Sequence, residues 1–329
     1  MLRSLILLSL VLPMSSLASV DDGNENKPVE AVSGVDGKPA LAFDLGGGVP
    51  KLLIPRGEVL NFGVHVAVGP LGATVGTVKL ESGVDPYVES LVLLAPQPTA
   101  GGPKRETGWL RAKADGGYLF YSMETVLDSR YLPRAWPSIS HFYKQSGSEN
   151  RRKESLIGNL DGRGQTSYRA DTRHGAPSGQ RIWKKPVFRD VPEGTVDMLG
   201  AVYLARTLLE SGDEKLSFPL LDKTTLWKMT LERGEEKRLE VPFGTFDAVE
   251  IKLIPGAWPG EPELESGKFR GLFGIRGSIH LWVEKTTGVP IRITGDVPAG
   301  PVTINCDIYL EDATGTPDVF KPVLEAKTD

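Results

Sequence analysis

Four histidines, His65, His141, His174 and His280, and one cysteine, Cys306, are the side chains best suited to chemistry. Their spacing denies them most of it. A zinc site needs three or four converging ligands, and no His-x-x-x-His, Cys-x-x-Cys or His-Glu-x-x-His pattern occurs, so neither a metal nor another cofactor is expected. His280 lies in Ser278-Ile-His-Leu-Trp-Val-Glu284, where strand alternation groups it with Ser278, Trp282 and Glu284 against Ile279, Leu281 and Val283. Side chains two apart on a strand stand side by side and do not adopt the nucleophile-base-orienter geometry of a triad. That face is expected to be solvated or to line a groove. A Gly-x-Ser-x-Gly elbow is missing too: the stretch Gln145-Ser-Gly-Ser148 lacks the flanking glycines and the following helix.

Charge is distributed more tellingly. Lys144 to Arg189 holds eleven basic residues against four acidic ones, a net +7. The rest of the chain beyond residue 18 therefore carries −12. Such a separation favours a basic face toward phosphates or carboxylates of envelope polymers, or toward anionic lipid heads. The candidate binding residues are Arg151, Arg152, Lys153, Arg173, Arg181, Lys184 and Lys185, with Trp183 as an aromatic among them. Ordinary solvated strand faces and loops explain the same residues without any ligand.

The elements that must position these groups are mostly strands. Leu60, Phe62, Val64 and Val66 alternate with polar or small residues, and Gly69-Pro70-Leu71-Gly72 turns the chain into Ala73–Leu80. Further strands are expected at Val88–Leu94, Gly108–Ala114, Tyr118–Leu127, Trp227–Leu231, Lys237–Val241 and Asp247–Ile254. Ser278–Glu284 and Val289–Thr294 form a hairpin about Lys285-Thr-Thr-Gly288, and Val302–Leu310 follows with Cys306 on its apolar side. That placement makes Cys306 a small buried hydrophobe, since no basic neighbour on its strand favours the thiolate. One helix is expected within Val196–Ser211, capped by Thr195 or Asp197 and ended by Gly212. No β-helix-β order recurs. The reading is a mainly β fold: an antiparallel, curved or partly closed, half-barrel-like sheet with one principal helix packed on it.

Composition agrees. With 40% hydrophobic and 24% charged residues the chain is neither disordered nor collagen-like, and 38 glycines with 25 prolines call for many turns. Residues 1–18 read as a signal peptide: Arg3, the apolar run Leu5–Leu12, then small residues with cleavage after Ala18. The run is far short of the ~20 residues that cross a bilayer, so no transmembrane segment is expected. Residues 19–50 form a flexible leader, 51–316 a single β-rich domain and 317–329 a tail. The leader ends in Gly46-Gly47-Gly48, which lacks the Lys and Ser/Thr of a phosphate loop. With one cysteine, the exported fold relies on its core and has no internal disulfide.

Several motifs, weak singly but specific in their order, carry a family resemblance. They are Asp197-Met-Leu-Gly-Ala-Val-Tyr-Leu-Ala-Arg-Thr207, Leu216-Ser-Phe-Pro-Leu-Leu-Asp222, Val241-Pro-Phe-Gly-Thr-Phe-Asp247 with Val249-Glu-Ile-Lys252, and Leu281-Trp-Val-Glu284 before Gly288-Val-Pro-Ile-Arg292. Together they resemble the DUF 3108 family of uncharacterised bacterial envelope proteins, over about Glu58 to Leu310. The resemblance implies an exported β-rich protein and brings no catalytic residues. Phe243 and Phe246 are expected as core aromatics at a turn, and Pro290 with Arg292 as the start of a return strand.

These observations together predict a periplasmic or secreted, non-catalytic binding, carrier or scaffold protein for a lipid-like or anionic envelope ligand or an envelope protein partner. Nucleic acid is a poor partner for an exported chain. The competing reading is a hydrolase of cell-envelope material, its acid-base pair drawn from residues such as His141, His174, Asp or Glu that only the fold unites.

Overall fold

Period-two patterning resolves into one large sheet. The structure, a computed structural model, describes residues 40–68, 71–86, 106–116, 123–131, 137–145, 151–158, 166–173, 183–222, 225–261, 268–269, 271–299 and 302–315. The expected signal peptide, the strand at Val88–Leu94 and the tail lie outside these residues.

In chain order the strands of the first half are β1 (Ala40–Phe43), β2 (Leu52–Pro55), β3 (Val59–Val68), β4 (Leu71–Pro86), β5 (Glu106–Gly116), β6 (Met123–Tyr131), β7 (Pro137–Gln145), β8 (Arg151–Gly158), β9 (Thr166–Arg173) and β10 (Trp183–Asp190). Helix α1 (Met198–Ser211) follows, then β11 (Lys215–Asp222), β12 (Thr225–Val241), β13 (Gly244–Ala257), β14 (Arg276–Glu284), β15 (Pro290–Ala299) and β16 (Val302–Thr314). Two meanders, β3 to β10 and β11 to β16, join through the β16–β3 pair into one antiparallel sheet of 14 strands. The sheet is not closed. Its edge strands β10 and β11 do not pair, but the linker after β10 bridges toward β11: Val196 N donates to Pro219 O at 3.1 Å and Leu221 N to Val196 O at 2.9 Å.

Helix α1 starts at Asp197, whose side chain accepts from Gly200 N, and ends at Gly212 with φ 71°. Thr195, the other cap foreseen, instead donates its hydroxyl to Pro192 O at 2.6 Å. Every residue from Leu199 to Leu208 is buried, more than one amphipathic face requires. The cause is a second cover. Strands β1 and β2 form a separate hairpin, and Thr207 Oγ1 donates to Lys51 O at 3.0 Å. Residues 40–49, assigned to the leader by their composition, are thus tied to the domain, with Phe43 only 2% exposed in the main core. A second difference concerns Trp227–Leu231 and Lys237–Val241, which belong to one strand, β12, carried past Gly234 and Glu235 by a bulge between Arg233 and Glu236. Strands β1, β2, β7 to β10 and β11 also run where no strand is expected from the pattern.

Candidate functional site

Polar groups buried beneath the helix serve the fold. Asp197 accepts from Ser129 Oγ, from Tyr131 Oη and from Gly200 N, so the cap also pins α1 to β6. Burial pushes the Asp197 carboxyl above its ordinary range, although all three bonds pull it down. Gly200 permits the approach, because a Cβ there would lie 2.4 Å from the Tyr131 hydroxyl. Farther along α1, Glu58 Oε1 accepts from Arg206 Nη2 at 2.6 Å and from Tyr203 Oη at 3.4 Å. Burial, then the Glu58 charge, drives the Tyr203 hydroxyl upward.

The opposite face of the sheet holds His280. Its Nδ1 bonds Glu250 Oε1 at 2.7 Å across the β13–β14 pair. Ser278 and Glu284, which strand alternation sets on its face, play no part; Glu284 accepts from Thr286 N, Thr287 N and Thr287 Oγ1 and so shapes the Lys285–Gly288 turn. A histidine oriented by a carboxylate is the base half of a triad. No hydroxyl or thiol among the described residues completes it. Farther along the same face, Arg292 donates to both Asp307 oxygens, at 2.8 and 2.5 Å, and Tyr309 Oη donates to Asp307 as well. Those hydrogen bonds first, and the Asp307 charge after them, raise the Arg292 guanidinium further. No group of three or more His, Cys, Asp or Glu among the described residues is placed to hold a metal ion.

Cys306 is buried on the apolar side of β16, and burial pushes its thiol up to about 11. A thiol-specific disulfide reagent at neutral pH should leave the native protein unmodified and label about one thiol per chain only in denaturant; rapid native labelling would contradict this placement.

The triple glycine has a structural role. Gly46, Gly47 and Gly48 all take positive φ (72°, 60° and 75°), and a Cβ on Gly47 would lie 2.6 Å from Glu193 O. This turn borders a shallow cleft of about 320 Å³ lined by Val49, Pro192, Phe218, Pro219 and Trp258, with Lys228 at its edge. The volume is at the low end for ligand sites.

The basic residues are sorted by register. Paired residues in a ladder share a face. Ser129, on the helix side through its bond to Asp197, pairs with Ile139, Ile139 with Ser155, and Ser155 with Arg169. Two residues along, Lys153 pairs with Asp171 and Asp171 with Lys184; two farther, Arg151 pairs with Arg173. Arg151, Lys153, Arg169, Arg173 and Lys184 therefore share the helix-side face of β8, β9 and β10, with Asp171 the acidic residue among them; Arg189, paired with Ser167, lies on that face too and is already bonded to Glu261. His141, opposite Lys153, lies on that face too. Arg152 and Trp183, both paired to Thr172, fall on the other face. Lys185 sits in the irregularity between Lys184 and Val187, while Arg181 and His174 lie outside the described residues. Arg169 was absent from the candidate set, and only its register adds it. On this side the sheet is apolar through Leu60, Phe62, Val78 and Leu80 and cationic across β8 to β10.

Comparison with known proteins places the chain in a family without assigning an activity. A family model described as a protein of unknown function (DUF3108) matches residues 110–307, more than half of the chain. No curated protein matches. Among solved structures, the chain is similar to a β-barrel-like protein of the domain of unknown function DUF1849 from Brucella abortus, at 12% identity and a TM-score of 0.38, covering 78% of this chain and 97% of that one. No helix among the described residues is long and apolar enough to cross a membrane.

Proposed function

The chain belongs to the DUF3108 family of proteins of unknown function, and we propose that it is an exported, non-catalytic protein that binds an anionic ligand of the cell envelope. One observation carries this reading: besides Arg189, which is bonded to Glu261, five cationic residues share the helix-side face of three neighbouring strands with a single acidic one. Arg151 and Arg173 are direct cross-strand partners. Like charges so placed repel, and an anion set between them removes the repulsion. The charged, apolar and small-residue sequence of residues 1–18 supports the reading of export.

The test is calorimetric titration of the chain lacking residues 1–18 with phosphatidylglycerol, glycerol phosphate and polyphosphate at two salt concentrations. At least one should bind, more weakly at high salt. Arg151→Glu with Arg173→Glu should cut affinity about tenfold or more, whereas Arg152→Glu, the same charge change on the other face, should alter it less than about twofold. Equal losses in the two variants, or no binding at all, would overturn the assignment.

A further inference from the structure

Two rows of ladder partners cross from the apolar to the cationic sector without a break. The first runs Phe62–Val78–Ala114–Thr125–Tyr143–Arg151–Arg173 over seven consecutive strands, β3 to β9. The second runs Leu60–Leu80–Ala112–Leu127–His141–Lys153–Asp171–Lys184. Residues on a row share one face, so each row runs from apolar residues at β3 and β4 to charged ones at β8 and beyond. From this juxtaposition we infer that the anionic ligand is a single-chain amphiphile, its phosphate or carboxylate head over Arg151 and Arg173 and its hydrocarbon chain lying across the strands toward Ala114. The inference rests on the reading of the cationic face given above and narrows it to one ligand class.

The row itself argues for a chain as well as a head. A polymer of phosphates needs only the charges. The first row adds an apolar continuation through Tyr143 and Thr125 to Ala114, which is partly buried and packs against the main core. Ala114 and Thr125 are the smallest side chains on that row, and small residues let a guest approach the sheet. Val78, next along, is only 2% exposed, so the path ends there. From β8 to β5 is three strand spacings, about 14 Å, the reach of a medium-length alkyl chain. The path also avoids the helix anchor, since Thr125 lies four residues from Ser129 on β6, about 13 Å along the strand from the bond to Asp197.

The probes are inorganic phosphate, butyl phosphate, octyl phosphate and tetradecyl phosphate, each below its micelle concentration, with octyl glucoside as the uncharged control. Affinity should rise by up to about fourfold per methylene buried and level off once the chain exceeds the 14 Å path. Ala114→Trp should return octyl phosphate to the affinity of butyl phosphate and leave inorganic phosphate unchanged. Thr125→Trp repeats the block at the next position should the first variant fail to fold. Tighter binding of octyl phosphate that neither variant lowers places the chain elsewhere and overturns the inference. Equal affinity for inorganic and octyl phosphate overturns it too, while the anion-binding reading stands. If octyl glucoside matches octyl phosphate, or if no phosphate binds, both readings fail.

Discussion

Glu58→Leu and Arg206→Met should each destabilise the protein by about 3–5 kcal/mol, while the double variant should lose less than either. The side chains are 1% and 7% exposed, so removing one partner leaves an uncompensated charge in the interior. The pair is also incompletely satisfied. Glu58 Oε2 and Arg206 Nε have no hydrogen-bond partner among the described residues, so part of the cost of burying two charges is not offset. Replacing both by apolar groups removes attraction and burial cost together. The exposed pair Lys215–Glu232, 3.0 Å apart with side chains 59% and 42% exposed, is the control, and its disruption should cost less than about 1 kcal/mol. Urea unfolding of the four proteins of the cycle gives the coupling energy directly. Losses that simply add in the double variant would show that the two charges do not act as a pair.

What the sequence disclosed depended on whether the cause was local. The helix was legible because its period, its Asp197 cap and its Gly212 stop all lie within one short stretch. The late hairpin was legible for the same reason, since Glu284 and Gly288 build its turn from adjacent residues. Strand β12 was split because Glu232-Arg-Gly-Glu-Glu-Lys237 has the composition of a turn, and only pairing with β13 carries the strand through its bulge. Strands β7 to β10 were missed where runs such as Arg151-Arg-Lys-Glu154 mask the alternation. The sequence revealed how many cations the segment holds but not their sidedness, for Arg151 and Arg152 are neighbours in the chain and on opposite faces of the sheet. His280 shows the same limit: its partner Glu250 comes from the preceding strand, thirty residues back.

The cap of α1 should have a comparably large effect. Asp197→Ala should cost about 3–5 kcal/mol: about 1 for the lost cap, and the remainder because the Ser129 and Tyr131 hydroxyls, both buried, lose their acceptor. Thr195→Ala, at the neighbouring position that does not cap, should cost about 1 kcal/mol or less. The dependence on pH has a definite sign. Burial raises the Asp197 carboxyl above its ordinary 3.8, so proton uptake by the folded protein favours folding. That contribution is complete below pH 3.8 and is lost as pH rises through the higher folded value. Asp197→Asn cannot ionise, so the stability of the native protein relative to this variant should fall as pH is raised across that window. Chemical unfolding in a series of buffers from pH 3 upward, within the range where both proteins stay folded, measures the difference. A gap that instead widens with pH would mean that the three hydrogen bonds outweigh burial and hold Asp197 ionised, turning the cap from a neutral acceptor into a buried anion at the positive end of the helix.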